Sequence, residues 1–210
     1  MARKPATKPR KNASQARSRA TVDALVEATA RILVREGFEK ASTNHIAELA
    51  GVSVGSLYQY FPSKEALVAA VIDRHNDEIM GIVRTALIEV AEMPVDKAVR
   101  RLVTVAIEAH RINPKLHRVL AEQIPRTGQL ADVEAFNHEV HALVRAYFES
   151  RRKEVRKIDL DMATFICVSA IEAVAHNTVL HRAAMLSEKT VRTLVDETTR
   201  MVVGYLRPSA

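Results

Sequence analysis

The segment from Ser42 to Leu67 constrains the fold of this chain more than any other stretch. A short apolar stripe at its start is interrupted at Gly51, and a second short helical segment runs from Ser53 to Tyr60. Ser53 is a favourable N-cap, because its hydroxyl can accept a hydrogen bond from an otherwise unpaired amide of the first turn. Gly51 can adopt the backbone angles that a sharp turn needs. The segment therefore predicts two helices joined by a tight turn.

The second of these helices shows small, neutral side chains that can form hydrogen bonds. Serine and glutamine can bond base edges or phosphates, a tyrosine can bond a phosphate or touch a thymine methyl, and small residues permit close approach to DNA. Pro62 ends the helix, Ser63 can cap the next one, and Lys64 places a cation at that helix start, where a phosphate can bind both. The predicted DNA-binding residues are Ser42, Thr43, Ser53, Val54, Gly55, Ser56, Tyr58, Gln59, Tyr60, Lys64, Arg17 and Arg19.

The alternative is that Tyr58, Tyr60 and Phe61 are only core aromatics. It is disfavoured because two phenols and a glutamine side by side make a poor core.

Many residues of this segment, in fixed register, carry a family resemblance. They are Thr43, Ile46, Ala47, Ala50, Gly51, Val52, Ser53, Gly55, Leu57, Tyr58, Tyr60, Phe61, Lys64 and Leu67. The run resembles the DNA-binding domain of the tetracycline-repressor (TetR) family of bacterial regulators, over roughly Thr21 to Val71. The resemblance implies an all-helical homodimer, with a three-helix DNA-reading head and a larger helical domain that binds a small effector and dimerises. It also implies that the helix connecting the two domains tilts when effector binds.

Composition agrees with an all-α fold, because aromatic residues make up only 4% of the chain while Ala, Val, Leu and Ile are abundant. The predicted organisation is a disordered basic arm (residues 1–19), a helix-turn-helix DNA-binding domain (20–66) and an effector-binding and dimerisation domain (67–210).

The formal net charge of +6 is concentrated at the N-terminus. The first nineteen residues carry seven cations and no acid, so the rest of the chain sums to −1. The cations are Arg3, Lys4, Lys8, Arg10, Lys11, Arg17 and Arg19. Two prolines and polar spacing predict disorder in the free protein. A solvated tail is one reading, but beside a DNA-reading domain we favour an arm that binds phosphates or the minor groove.

Several features predict a cytoplasmic protein that is nucleoid-associated when bound to DNA. The single cysteine, Cys167, permits no disulfide within one chain and favours a reducing compartment. Met1 to Arg19 has no apolar core and is not expected to be a signal peptide. The longest stretch without Asp, Glu, Lys or Arg is Leu49 to Ser63, which glycines and a proline interrupt, so no membrane span is predicted.

Apolar periodicity predicts the remaining helices. They are expected at Thr21–Glu36, Ser63–Val90, Pro94–Arg111, Lys115–Ile124, from Leu130 to the basic run Arg151–Lys157, at Met162–Leu180 and from Ser187 to Leu206. The basic run is interpreted as a solvated helix end that complements the helix dipole. The last two helices are the ones through which the family resemblance implies homodimerisation, in a four-helix bundle.

The effector site is expected to be an apolar pocket with a few polar anchors. The candidates are His75, His110, Gln123, Phe136, His141, Phe165, Glu172 and His176. Glu172 is expected to be buried and to need a partner, and an internal one is favoured over a ligand. His138 and His141 lie one turn apart, but no Cys or carboxylate spacing supports a metal site, so neither a metal nor a cofactor is predicted.

The sequence supports three function classes to different degrees. A ligand-responsive repressor that binds a palindromic operator fits best, with double-stranded DNA and an unknown small molecule as partners. An enzyme is disfavoured, because no phosphate-binding glycine loop, nucleophile elbow or zinc-protease pattern occurs. The alternative left open is an architectural DNA-binding protein without an effector, which the basic arm supports.

Overall fold

A computed structural model describes residues 16–123, 130–181 and 187–208, and side chains are described from 18 to 122, 134 to 180 and 187 to 208. Over these ranges the regular secondary structure is entirely α-helical, which confirms the predicted fold class. The helices are α1 (Ala16–Glu36), α2 (Thr43–Leu49), α3 (Val54–Tyr60), α4 (Lys64–Glu89), α5 (Val95–His110), α6 (Pro114–Gln123), α7 (Leu130–Ser150), α8 (Leu160–His181) and α9 (Glu188–Leu206).

The chain forms two compact units whose limits differ from the predicted boundary at residue 66. The first unit is Met1–Asn76 with Lys115–Gln129, and the second is Asp77–Pro114 with Leu130–Ala210. α6 belongs to the first unit because Leu116 is buried in its core, with Val119 and Leu120 packed against the same cluster. The sequence prediction missed this, since an amphipathic stripe does not name the surface that it covers.

The first unit has a continuous apolar core made by α1, α2, α3, the start of α4, and α6. Its largest solvent-free side chains are Leu25, Ile32, Leu33, Ile46, Leu57, Phe61, Leu67 and Val71. Such burial is worth about 1.5–3 kcal/mol per large apolar side chain, so this core holds the short helices α2 and α3, which would not form alone.

α1 begins at Ala16, five residues before the predicted start near Thr21. Alanine and arginine are good helix formers, and nothing between Ala16 and Ala20 interrupts a helix. The predicted disordered arm therefore does not include Ala16–Arg19. Its earlier residues lie outside the described part of the chain.

Glycines make the sharp turns of the first unit. Gly37 (φ 81°) follows α1 and Gly51 (φ 68°) separates α2 from α3. Both angles lie in the left-handed region that other residues adopt only at a cost. The predicted glycine turn between the two short helices is thus present.

In the second unit, α5 packs against α8 and α9, and α7 packs against α8. Its core includes Val103, Ile107, Phe148, Ala163 and Leu206. Pro94 is the N-cap of α5, so the helix begins at Val95, one residue after the predicted first position.

The basic run from Arg151 follows α7, which ends at Ser150. Its arginines do more than complement a helix dipole. Arg152 donates hydrogen bonds to the carbonyl oxygens of Arg156 and Ile158, and the Arg156 guanidinium lies 4.6 Å from the centre of the Tyr205 ring. These contacts fix the connection between α7 and α8.

α8 is the most apolar helix. Among the described residues, Leu160–Leu180 alone is long and apolar enough to cross a membrane by length and composition, with a mean hydropathy of 1.4. It packs against α5, α7 and α9 inside its unit, yet Met162, Phe165 and Ile166 are exposed. One side of α8 is core, and Met162, Phe165 and Ile166 form an exposed apolar patch near the start of the helix.

Candidate nucleic-acid interface

Two serine caps position the short helices α2 and α3. The Ser42 Oγ accepts a hydrogen bond from the His45 amide at 3.3 Å, and the Ser53 Oγ accepts one from the Ser56 amide at 3.1 Å. A hydroxyl that accepts in this way keeps its own O–H as a donor. Each exposed cap can therefore hold its helix and still donate to a phosphate oxygen.

The start of α2 and the middle of α3 are joined through side chains. The hydroxyls of Thr43 and Tyr58 lie 3.1 Å apart and share a hydrogen bond. Tyr58 is 42% exposed, so its ring stands on the surface while its hydroxyl is held by the neighbouring helix. The phenol is oriented before any ligand arrives.

Tyr60 is placed differently from its prediction. Its side chain is 7% exposed and belongs to the core of the first unit, so assigning it to the outer face was wrong. It lies three residues after Leu57, which is solvent-free, and positions three apart share a helix face. That spacing was the signal that could have found it. Val54 is half-buried against the same core.

The exposed face of α3 is consequently small and neutral. It consists of Gly55, Tyr58 and Gln59 with the half-buried Ser56, and the half-buried Thr43 of α2 continues it. No Asp, Glu, Lys or Arg occurs between Val54 and Tyr60.

Lys64 also has an internal role that the sequence did not indicate. Its Nζ donates a hydrogen bond to the Phe38 carbonyl oxygen at 3.0 Å and lies 4.1 Å from the centre of the Phe38 ring. An ammonium group has three donors, so this contact leaves capacity for a phosphate but fixes the group to the turn after α1. Ser63 caps α4 as predicted, by accepting from the Ala66 amide at 3.3 Å.

Ion pairs of the first unit lie on α1 and α4, outside α3. Glu27 on α1 pairs with Arg31 and with Arg74 of α4, each at 3.0 Å. The hydrogen bond from Arg31 is the main cause that lowers the pKa of Glu27, with Arg74 adding to it. Arg19 is exposed near the start of α1, whereas Arg17 lies outside the described side chains.

The predicted effector residues that the structure describes are divided between the two units. His110 and His176 of the second unit meet edge to face with ring centres 5.9 Å apart, and His110 Nδ1 donates to the Ala106 carbonyl oxygen. His141 Nδ1 likewise donates to the Asn137 carbonyl oxygen at 2.7 Å. His75 instead belongs to the first unit.

Two of the predicted effector residues have exposed side chains. Phe165 is 58% exposed and Glu172 is also exposed, so the expected buried carboxylate does not exist. Both lie on the side of α8 that faces away from its own core. Phe136 is half-buried against the second core, with the Arg84 guanidinium 5.4 Å from its ring centre. Gln123 lies outside the described side chains.

A capped helix-turn-helix pair on a small helical core, with a separate helical unit, defines a DNA-binding regulator of the bacterial helix-turn-helix class. The chain belongs to the TetR family. The model described as "Tetracyclin repressor-like, C-terminal domain" matches residues 94–206, and the model "Bacterial regulatory proteins, tetR family" matches residues 25–71. The protein is thus a transcriptional regulator with a DNA-binding head and is not an enzyme.

Similar proteins include the nucleoid occlusion factor SlmA of Actinobacillus pleuropneumoniae, 32% identical over 85 residues, which are 40% of this chain and 41% of that one. The HTH-type transcriptional activator FasR of Mycolicibacterium smegmatis is 43% identical over 63 residues, 30% of this chain and 29% of that one. The chain thus spans about two fifths or less of the length of these relatives. A solved TetR-family regulator from Mesorhizobium loti shares the fold with a TM-score of 0.72 at 16% identity, covering 92% of this chain and 100% of that one.

Proposed function

We propose that this protein is a repressor that binds a palindromic operator as a homodimer and leaves it when a small molecule binds. The observation that carries the proposal is the exposed, neutral face of α3, whose one large side chain is oriented by Thr43. Such a face serves poorly as core and well as a reader of base edges.

In the proposed complex, α3 enters the major groove and Gly55, Ser56, Tyr58 and Gln59 meet the bases. Ser42, Thr43, Ser53 and Lys64 bind backbone phosphates, together with Arg17, Arg19 and the arm before them. The neutral helix supplies selectivity, and the cations supply most of the affinity that depends on salt.

The homodimer forms through α8 and α9. Met162, Phe165 and Ile166 on α8 and Met201 on α9 are exposed apolar side chains, and a twofold axis lets one such surface cover its own copy. A partner helix suits this surface better than lipid does, because Glu172 and Asn177 are also exposed on α8 and a carboxylate in lipid is costly. We accordingly place the protein in the cytoplasm.

The effector site belongs to the second unit, with His110, His141 and His176 as polar anchors. If effector and operator favour different separations of the two heads, each lowers the affinity for the other by the same factor.

An effector-independent architectural role is the second candidate. SlmA is named a nucleoid occlusion factor, and its similarity to this chain extends over 85 residues. An architectural protein would bind DNA with little preference for sequence.

Selection of bound DNA from a random pool by the full chain tests the proposal. We expect the selected DNA to share a palindromic consensus. We also expect at least one compound of a small-molecule library to release the protein from that DNA. Tyr58→Ala should abolish the enrichment, and Ile88→Ala, an exposed position on α4, should leave it intact. A selected pool without a consensus would contradict binding to a palindromic operator. A consensus from which no compound releases the protein would favour the effector-independent architectural role.

A further inference from the structure

The first unit contains a hydrogen bond between two histidines that are distant in the chain. His75 Nε2 on α4 and His117 Nδ1 on α6 lie 3.0 Å apart, and the ring centres are 5.3 Å apart. His75 is 4% exposed. In a neutral pair, one ring donates N–H and the other accepts, so the bond fixes the ring orientations and the tautomers together.

Residues close to this bond in both helices belong to the apolar core of the first unit. Leu116, the residue before His117, is buried in the core of the first unit, where Val71 of α4 is also buried. Val119 and Leu120 extend the same packing. α6 therefore packs on the same core that holds α2 and α3, and the histidine pair is a polar contact between α4 and α6.

We infer that α6 is a working part of the DNA-binding head and that His117 is a positioning residue for operator binding, acting through His75. This inference rests on the proposed function. Apolar attraction is not directional, whereas a hydrogen bond requires a narrow range of distances and angles. With the bond in place, α4 is held at a set angle on the core from which α3 projects. Without it, α4 samples several angles and the reading face is less well defined.

Two substitutions separate the hydrogen bond from the bulk of the ring. His117→Ala removes the Nδ1 partner, while His117→Asn keeps a polar side-chain atom near the same position. Glu122→Ala, an exposed change on α6, is the matched control. Operator affinity is measured by titration of labelled DNA, and hydrogen exchange is measured on the DNA-free protein.

We expect His117→Ala to weaken operator binding about 3- to 10-fold, the range for one net hydrogen bond, and His117→Asn to restore much of it. Exchange should rise in α6 and in Lys64–Asn76 but not in α8 or α9, where a general loss of stability would also appear. Affinity within twofold of the wild type, no rescue by asparagine, or exchange that rises equally in α8 would each overturn the inference. If the wild type binds no operator, the proposed function fails, and the exchange pattern still decides whether His117 positions α4.

Discussion

The hydroxyl of Thr43, the first residue of α2, lies 3.1 Å from the hydroxyl of Tyr58 in α3. This hydrogen bond joins the two helices and orients the exposed phenol. A pre-oriented side chain loses less conformational freedom on binding than a mobile one.

Removal of either hydroxyl should weaken operator binding. Tyr58→Phe and Thr43→Val each delete one half of the bond, and we expect about a 3- to 10-fold rise in the dissociation constant. The double variant should lose little more affinity than the weaker-binding single variant, because the two residues act through one hydrogen bond. Tyr60→Phe is the control, since that ring is buried. Fully additive losses would contradict the coupling.

The arm should govern the salt dependence of binding. Deletion of residues 2–15, or replacement of Arg3, Lys4, Lys8, Arg10 and Lys11 by serine, should weaken binding and flatten the plot of log affinity against log salt. Each lost phosphate contact changes the slope by about 0.9. The serine variant keeps the length of the arm and isolates its charge. An unchanged slope would show that the arm is only a solvated tail.

Substitution by alanine should change the stability in opposite directions at two glycines. Gly51 has φ 68°, so Gly51→Ala should cost about 1–2 kcal/mol of stability. Gly81 lies within α4 and has open space where the alanine methyl group would stand, so Gly81→Ala should stabilise by about 0.5–1 kcal/mol. Urea midpoints followed by circular dichroism at one protein concentration give the comparison. A stabilising Gly51→Ala would show that the turn differs from the one described.

The apolar side of α8 should be the dimer contact. Sedimentation at micromolar concentration should find the wild type dimeric and Phe165→Glu monomeric, because a buried unpaired carboxylate is costly. Ile88→Glu alters another exposed apolar residue, on α4, and should stay dimeric. A monomeric wild type would refute the proposed dimer. A dimeric Phe165→Glu variant would show that the dimer contact does not include this side of α8.

Cys167 should report on the unfolding of the second unit. Burial raises the pKa of its thiol to about 12, so the reactive thiolate is scarce and alkylation at pH 8 should need unfolding. The folded state holds this proton more tightly than the unfolded one, so its contribution to stability is complete below about pH 9 and is lost as pH rises toward 12. The stability of the Cys167→Ala variant should fall less steeply over that pH range. Rapid labelling of the native protein would contradict the burial.

The sequence was most informative where local rules act alone. Ser53 and Ser63 cap helices as predicted, and Gly51 makes the turn. Each of these depends on a few neighbouring residues, so a single sequence is enough to predict them.

Features that depend on distant partners were not predictable in this way. Lys64 is held by Phe38, and His75 is bonded to a residue 42 positions later. Glu172 was expected inside the domain because its neighbours are apolar, but an apolar helix that packs on one side can still expose the other. Helix periodicity gives the faces of an element and leaves open what each face contacts.

The placement of α6 also bears on how the chain is made. The head receives its last helix only after Asp77–Pro114, which belong to the other unit, have been synthesised. Until then a nascent head lacks the partner of His75 and the cover that Leu116 provides. Chains emerge from the ribosome N-terminus first and fold as units. We therefore expect a growing polypeptide to reach its full affinity for DNA only after α6 has been synthesised. Incomplete copies would then compete poorly with finished ones for the same site.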